Sequence, residues 1–275
     1  MQPAGFDIGD ALIAFQASDS YLRAFVVGLI NTLLMALSAG AAAMFLGTFV
    51  GAGLVVSNRT SKGALQVFVE LMRNLPKLLW LLIVYIVMVN TLPAVEQALS
   101  PLPGVYLSNQ GLVVPGFDFS SGTISLAQAT RFGFDGGWEI PMQFVALWLT
   151  LTVYHGAQVG EIVRGGLQAI PKGQWEAAIA LGLPLKLLLR LVILPQVMRR
   201  IIPSLISQLV NLLKNTSIGL AVGFTDLMAV ASTTINQAFK PLEVMVIIMC
   251  TYLVIGVLLA GILNGLSNRL RKGLR

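Results

Sequence analysis

The chain has 275 residues, of which 56% are hydrophobic and only 11% are charged, and its formal net charge is +6. An ordinary soluble domain carries about 25% charged residues, so this composition indicates a membrane protein and argues against nucleic-acid binding despite the positive charge. The single cysteine, Cys250, excludes a disulfide framework and a Cys-x-x-Cys metal site.

The first apolar run extends from about Ala24 to Val56 and is longer than the roughly 20 residues that a membrane span requires. The preceding segment, Met1–Ser20, is polar and acidic and lacks the features of a cleavable signal peptide, so we expect the run itself to direct insertion. Within the run, Gly47 and Gly51 form a G-x-x-x-G pair that permits close helix contact, although chance glycines explain the pair equally well.

The second run extends from about Leu65 to Leu92, after a short basic turn at Ser57–Gly63. Pro76 should kink this helix. Glu70 and Arg73 lie three residues apart, where they can pair on one helix face. Because charges inside a membrane are expensive, we expect these two to have a structural role near the interface.

The segment Pro93–Pro141 is rich in proline, glycine, serine and asparagine, and it carries four acidic residues against Arg131 alone. About 50 residues is too long for a plain turn, so the segment should have some structure of its own. We interpret it as an external insertion that contains a short hairpin.

The third run, from Met142 to about Ile170, contains two pairs of polar residues. His155 and Gln158 lie three residues apart on one helix face, where they form either a satisfied helix contact or part of a substrate-lining surface. Glu161 and Arg164 have the spacing of a structural ion pair near the inner surface.

A polar stripe marks the fourth run, Ile201 to about Val222, because its polar residues recur at steps of three and four. For the serines we favour hydrogen bonds between helices, and for Asn211, Lys214 and Asn215 a cavity lining, since an ionisable group at this depth requires a partner or water. The stripe comprises Ser204, Ser207, Gln208, Asn211, Lys214 and Asn215. A polar link, Phe224–Glu243, then leads to a fifth span, Val244–Leu266.

Five spans place the two termini on opposite sides of the membrane, and the basic residues orient them. With the N-terminus outside, the outer segments contain only four basic residues: Arg23, Arg131, Lys214 and Lys240. The inner segments contain Arg59, Lys62, Lys172, Lys186, Arg190, Arg199, Arg200, Arg269, Arg271, Lys272 and Arg275. The segment Pro171–Pro195 is therefore predicted to be cytoplasmic.

Pro171–Pro195 has the periodicity of a helix, although it lies between two apolar runs. Trp175, Ala178, Ile179 and Gly182 fall on one face. Pro171 can open the helix, and Pro184 should close it. Such a helix is either offered to a partner protein or lies flat on the lipid headgroups.

This segment resembles the EAA signature of ABC importer permeases, in which Glu-Ala-Ala is followed by Gly and later by Ile-x-Leu-Pro. The matching residues are Glu176, Ala177, Ala178, Gly182 and Val192-x-Leu194-Pro195, with Val192 in place of Ile. The flanking sequence Glu161–Gly166 and the run P-K-G-Q-W-E-A-A from Pro171 to Ala178 are similar to those of the polar amino-acid subfamily. Gly28–Leu33 and Glu70–Pro76 give this resemblance weaker support. Lys214-Asn215-Thr216-Ser217 resembles the subfamily's Lys-Asp-Thr-Ser, but Asn215 replaces the Asp, which puts one anchor for a cationic ligand in doubt.

The resemblance implies an all-α integral membrane protein with five transmembrane helices and a cytoplasmic coupling helix, similar to type I ABC importer permeases. Its parts would be residues 1–92, the external insertion 93–141, and the core 142–275 with its coupling loop 171–195. The residues implied in ATPase coupling are Trp175, Glu176, Ala177, Ala178 and Gly182. Those expected in the substrate pathway are His155, Gln158, Gln208, Asn211, Lys214, Asn215, Thr216 and Ser217.

The resemblance implies a non-enzymatic subunit that imports amino acids across the bacterial inner membrane by alternating access. No G-x-x-x-x-G-K-[ST] loop is present in the sequence, so we expect ATP and Mg²⁺ on a partner ATPase and no cofactor or metal on this chain. The expected partners are ATPase subunits, a second permease subunit and an external solute-binding protein. Three alternatives are an ABC permease for another small solute, an ion-coupled secondary carrier, for which no internal symmetry is evident, and a non-transporting scaffold.

Overall fold

The structure is a computed structural model that describes residues 3–8, 15–118, 122–130 and 133–273, without the side chains of residues 118, 266 and 269–273. Arg131 and Arg275, which entered the charge argument, lie outside the described residues. Most of the described chain is helical. The helices are α1 (Tyr21–Val56), α2 (Arg59–Asn74), α3 (Lys77–Thr91), α4 (Met142–Gln168), α5 (Lys172–Ala180), α6 (Leu185–Leu187), α7 (Leu194–Asn215), α8 (Leu227–Ala238) and α9 (Pro241–Gly273).

Short non-α helical segments lie at Val95–Gln97, Leu188–Ile193 and Thr216–Val222. The first and third are 3-10 helical, and the second is π-helical. The π-helical segment and the first turn of α7 contain the residues that match the end of the EAA signature, Val192 to Pro195.

Among its described residues, the insertion between α3 and α4 contains eight short strands, which corrects the expectation of an all-helical chain. They are β1 (Leu99–Leu102), β2 (Val105–Ser108), β3 (Gly111–Val114), β4 (Gly116–Asp118), β5 (Thr123–Ser125), β6 (Gln128–Ala129), β7 (Phe134–Asp135) and β8 (Trp138–Pro141). An antiparallel sheet has the order β1-β2-β3-β8, and β4–β5 and β6–β7 form separate two-stranded hairpins. Runs of two to four residues interrupted by glycine and proline are too short for helices, whereas they suit hairpin strands.

Two further boundaries differ from the predictions. The predicted basic turn at Ser57–Gly63 is mostly the first turn of α2, because the side chain of Asn58 caps this helix by accepting a hydrogen bond from Ser61 N at 2.9 Å. The predicted polar link Phe224–Glu243 contains α8, which is capped by Asp226 through Ala229 N at 2.9 Å. Asp226 before apolar residues at helical spacing was a usable signal for α8.

Pro76 breaks the second run rather than only kinking it. Leu75, directly before the proline, has φ −93° and ψ 142°, the extended conformation that a following proline favours. Consequently α2 ends at Asn74 and α3 begins at Lys77.

The described residues belong to two compact units. The first contains Met1–Met35, Pro76–Thr150 and Thr216–Lys240, and the second contains Ala36–Leu75, Leu151–Asn215 and Pro241–Arg275, within the described ranges. Helices α1 and α4 contribute residues to both units.

In the first unit, the N-terminal part of α1 holds the start of α8 through two buried polar residues. Asn31 Nδ2 donates to the carbonyl of Thr225 at 2.8 Å, and Leu227 N donates to Thr32 Oγ1 at 3.0 Å. The amide of Leu227 lies in the first turn of α8, where backbone donors have no partner within the helix. The polar pair Asn31 and Thr32 in the G-L-I-N-T-L sequence therefore provides hydrogen-bond partners for backbone groups at the start of α8.

In the second unit, α1 and α4 approach each other closely through glycines, which confirms the structural use of the Gly47–Gly51 pair. A Cβ atom at Gly47 would lie 2.4 Å from Val159 Cβ and 2.6 Å from the carbonyl oxygen of Gly156. A Cβ atom at Gly51 would lie 2.5 Å from the carbonyl oxygen of Gly160. Gly156 and Gly160 form a second G-x-x-x-G, on α4, so both partners at this contact present small residues.

By length and composition, α1 and the Pro241–Gly265 part of α9 are each able to cross a membrane alone. Two broken pairs meet the same criterion only when their members are combined: α2 with α3, and Leu185–Val222 with α8. The described residues therefore contain two to four candidate spans by this measure, rather than the predicted five. Helix α4, the predicted third span, does not meet the criterion on its own, and it carries His155, Gln158, Glu161 and Arg164.

Candidate functional site

A chain of hydrogen bonds between side chains joins α4 to α7. His155, which is 2% exposed, lies with Nδ1 3.2 Å from Gln208 Oε1. Gln208 Nε2 donates to Gln158 Oε1 at 2.9 Å. The two residues predicted to share a face of the third span are thus both connected to the same glutamine of α7.

Asn215, the last residue of α7, completes this chain on the other side of the imidazole. Its Nδ2 lies 3.1 Å from His155 Nε2. Since Gln208 uses its amide N–H toward Gln158, its Oε1 accepts from His155 Nδ1–H, and the neutral ring then accepts at Nε2 from Asn215. The geometry therefore fits a neutral histidine protonated on Nδ1. We call His155, Gln158, Gln208 and Asn215 the α4–α7 network.

The polar stripe on α7 divides into two parts. Gln208 and Asn215 are half-buried in the α4–α7 network, whereas Ser204, Ser207, Asn211 and Lys214 are exposed. The exposed members follow one another at steps of three, four and three residues, so they share one face of α7. Thr216 is fully buried and Ser217 is half-buried at the start of the 3-10 segment.

The helix predicted within Pro171–Pro195 is present as α5. It ends at Ala180, however, before it reaches Pro184, which was predicted to close it. Gly182 has φ +69°, the left-handed conformation that favours glycine. Its N–H bonds to the carbonyl of Ile179 at 2.9 Å, and Leu183 N bonds to the carbonyl of Ala178 at 3.1 Å. These two bonds form a Schellman motif, so Gly182 is the residue that ends the helix.

The face of α5 that was predicted to be offered outward is in fact partly turned inward. Ala178 is 5% exposed and joins a core cluster with Ile193 and Val197, against which Trp175 also packs. The large apolar side chains that remain exposed are Ile179 at 66% and Leu181, directly after the helix, at 78%. The spacing correctly predicts a helix, but the sequence alone does not predict which of its side chains pack against the core of the second unit.

Helix α5 and the residues just before it are hydrogen-bonded to α7. Gln196 Nε2, near the start of α7, donates to Gln174 Oε1 at 3.3 Å, and Arg200 donates to the carbonyl of Ala169, just after α4. Neither contact was predicted from sequence. Glu176, Ala177 and Gly182, which match the EAA signature, are exposed. A Cβ atom at Gly182 would meet nothing within 4 Å.

The predicted ion pair on α4 is confirmed. Arg164 Nη2 lies 2.6 Å from Glu161 Oε2, and Arg164 Nε lies 3.1 Å from Oε1. Arg73 of α2 pairs with the same carboxylate at 3.9 Å, so it does not use Glu70 as predicted. Within the part of the chain that the structure describes, Glu70 is exposed and makes no ion pair.

Residues 43–272 match the family described as "Binding-protein-dependent transport system inner membrane component". The chain is 31% identical to the general L-amino acid transport system permease protein AapQ of Rhizobium johnstonii, over 95% of this chain and 80% of that protein. It is also 31% identical to the glutamate/glutamine/aspartate/asparagine transport system permease protein BztB of Rhodobacter capsulatus, over 95% of this chain and 82% of that protein.

Two solved structures are similar to the fold. One is a chain of an amino acid ABC transporter with histidines, with a TM-score of 0.67, 25% identity, and coverage of 90% of this chain and 95% of that chain. The other is a chain of the MetNI methionine ABC transporter in an inward-facing conformation, with a TM-score of 0.60, 19% identity, and coverage of 92% and 97%. Because the family match extends over most of its length, the chain belongs to the family of inner membrane components of binding-protein-dependent transport systems.

Proposed function

We propose that this protein is the transmembrane subunit of an ATP-driven importer that moves amino acids, either polar or broad-range L-amino acids, across the cytoplasmic membrane. The names of AapQ and BztB support the substrate class, as does the amino acid transporter among the similar structures. Import would proceed by alternating access. Neither ATP nor Mg²⁺ would bind to this chain, since both belong on a partner ATPase.

The observation that carries the proposal is the burial pattern of α5, which has one side packed in the core and the other exposed. Its inner face, with Ala178, is packed into the core that also contains residues of α4 and α7, while Glu176, Ile179 and Leu181 remain exposed. A force applied to the exposed face would therefore be transmitted to the core of the second unit. We assign ATPase coupling to Trp175, Glu176, Ala177, Ala178 and Gly182. Trp175 and Ala178 would hold the helix against the core, and the other three would be available to the ATPase.

For the substrate pathway, we propose the α4–α7 network together with Asn211, Lys214, Thr216 and Ser217. An amino acid carries a carboxylate, which an exposed lysine is suited to receive. Because His155 is already hydrogen-bonded on both ring nitrogens, its role would be to hold Gln208 and Asn215 in place rather than to bind substrate directly.

Five membrane crossings remain our proposal, with α4 and the two broken pairs each counted as one crossing. The N-terminus would then lie outside and the C-terminus in the cytoplasm, as the distribution of basic residues favours. In this arrangement α5 faces the cytoplasm, and the insertion 93–141 lies outside between the segments 1–92 and 142–275. A second permease subunit and a solute-binding protein would complete the transporter.

The test compares Gly182→Asp with Gly182→Asn in the complete transporter, reconstituted in liposomes. Both side chains are of similar size and tolerate the left-handed conformation, so backbone strain is matched. Only Asp adds a charge to the apolar surface of Ile179 and Leu181. We expect Gly182→Asp to abolish the substrate-stimulated ATP hydrolysis that Gly182→Asn largely retains. Equal stimulation in the two variants, or transport by this chain without nucleotide, would refute the proposal.

A further inference from the structure

The four-stranded sheet of the insertion has one face made of apolar residues. Directly paired residues share a face, and the register aligns Leu99 with Leu107, Leu107 with Leu112, and Leu112 with Ile140. This row crosses all four strands. None of its side chains is fully buried, and Leu99 is 52% exposed.

A second apolar row continues the same face. Val114 pairs with Trp138, two residues along the strands from the first row. Leu102 pairs with Val105 beyond an irregularity in β1, where the register shifts between Leu99 and Leu102. Trp138 is 52% exposed and Leu102 is 64% exposed. No charged residue lies in either row. Contiguous apolar surface of this kind marks a contact with lipid or with another protein.

The opposite face of the sheet is different, because the insertion covers it with its own residues. Val113 is 3% exposed on that side, as is Ala127 in the segment between the two hairpins. Tyr106 of β2 packs against Phe134 of β7 with ring centroids 5.2 Å apart. Glu139, the neighbour of Trp138, points to this side and is exposed. Among the described residues, the sheet therefore has one covered face, which also carries an acid, and one apolar face, which is exposed at Leu99, Leu102 and Trp138 and half-buried at its other positions. We call the second one the bare face.

The sheet is attached to the ends of two helices without a flexible linker. Met142, the first residue of α4, directly follows β8 and donates its N–H to the carbonyl of Gln110 at 2.9 Å. Asn109 N donates to the carbonyl of Pro93, two residues beyond the end of α3, at 2.9 Å. Asn109 and Gln110 form the turn between β2 and β3. These bonds keep the sheet close to the helix ends, and α3 itself exposes apolar residues such as Ile83 and Ile86.

We propose that this bare face rests on the lipid bilayer, with its apolar side chains at the boundary between headgroups and acyl chains. A surface that binds a soluble protein transiently has a polar, charged rim, and the two apolar rows contain no charged residue. An uncharged apolar face with an exposed tryptophan suits the membrane interface, where tryptophan is enriched. The covered face, with Glu139, would then point to water and be available to a solute-binding protein.

The lipid contact itself depends only on membrane insertion, whereas its assignment to the outer leaflet rests on the proposed function. The test uses the permease and ATPase subunits, assembled in liposomes of phosphatidylethanolamine and phosphatidylglycerol, without solute-binding protein. In a Cys250→Ser background, spin labels are attached to Trp138→Cys and Leu102→Cys on the bare face, and to Glu139→Cys as the matched control. Positions 138 and 139 are adjacent in sequence and point to opposite faces.

We expect the labels at positions 138 and 102 to collide several-fold more with membrane-soluble oxygen than with a water-soluble nickel chelate, and the label at position 139 to show the reverse. Equal nickel access at positions 138 and 139 would overturn the proposal, because the face would then be in water. Protection of positions 138 and 102 from both reagents would also overturn it, because a protein would cover the face. Amino-acid uptake, measured in separate liposomes to which solute-binding protein is added, reports on the proposed function.

Discussion

His155 and Asn215 meet at 3.1 Å between Nε2 and Nδ2, which brings the middle of α4 to the C-terminal end of α7. Directly after Asn215 the chain changes from α-helix to a 3-10 segment. The family resemblance suggests Asp at this position, and an aspartate would present only acceptor atoms to a neutral imidazole nitrogen that is itself an acceptor. Asn215 instead supplies an N–H donor, so its amide is matched to the tautomer that Gln208 imposes on the ring.

Replacing Gln208 by Leu should destabilise the protein. The change keeps the side-chain size similar but removes the acceptor for His155 Nδ1–H and the donor to Gln158 Oε1. Leaving a buried polar group without a partner costs about 1–3 kcal/mol. Thermal unfolding of the purified protein in detergent should show a clear decrease in Tm. The matched control is Ser207→Ala on the exposed face of α7, which should change the Tm little. A Gln208→Leu variant as stable as wild type would mean that the α4–α7 network contributes no stability.

Gly47 and Gly63 should respond to the same substitution with opposite signs. At Gly47, the new methyl group would lie 2.4 Å from Val159 Cβ, so α1 and α4 must separate, with an expected cost of about 1–3 kcal/mol. At Gly63 in α2 a Cβ atom meets nothing within 4 Å, and alanine should stabilise the helix by about 0.5–1 kcal/mol. Thermal unfolding of Gly47→Ala and Gly63→Ala compares them directly. A stabilised Gly47→Ala protein would show that close contact between α1 and α4 is not required.

These examples show which parts of the fold the sequence predicts. Long apolar runs mark α1 and α9 because only length and hydropathy are required, and Pro76 marks the break between α2 and α3 because its effect is local. The helix at α5 follows from local spacing. Its outward and inward faces do not, since they depend on Ile193 and Val197, which pack against Ala178 only in the folded chain.

The candidate site was predictable to a similar extent. Spacing placed His155 with Gln158, and Gln208 with Asn211, on common helix faces. That Gln208 binds both His155 and Gln158, while Asn211 stays exposed, depends on how α4 and α7 are rotated toward each other. The sequence pattern of one helix alone does not determine how the two helices are rotated relative to each other.

Thr32 and Thr48 offer a second matched pair, both on α1. Each hydroxyl donates to the carbonyl four residues earlier, at 2.9 Å for Thr32 and 2.7 Å for Thr48. Only Thr32 also accepts a hydrogen bond from the start of α8, at Leu227 N. Thr32→Val should therefore cost about 1–3 kcal/mol, because the buried amide of Leu227 loses its partner. Thr48→Val should stay within about 0.5 kcal/mol of wild type.

Thermal unfolding in detergent again provides the measurement for the threonine pair, and hydrogen exchange of the Leu227 amide adds a local one. We expect faster exchange at Leu227 in Thr32→Val and unchanged exchange in Thr48→Val. Equal Tm values together with unchanged exchange at Leu227 would contradict the role assigned to Thr32.

Lys214 should be required for import at low substrate concentration. It is exposed on the polar face of α7 with Asn211, in the last turn of the helix, where a cation on this face can receive a substrate carboxylate. A hydrogen bond to a charged group contributes about 1.5–3 kcal/mol, so Lys214→Met should raise the KM for amino-acid uptake by about ten- to a hundredfold. Uptake into liposomes that contain the complete transporter gives this value. Lys240→Met, an exposed lysine between α8 and α9, is the control and should leave the KM unchanged. If Lys214→Met transports with wild-type KM, the exposed face of α7 is not the path of the substrate carboxylate, and a scaffold role for α7 becomes the better explanation.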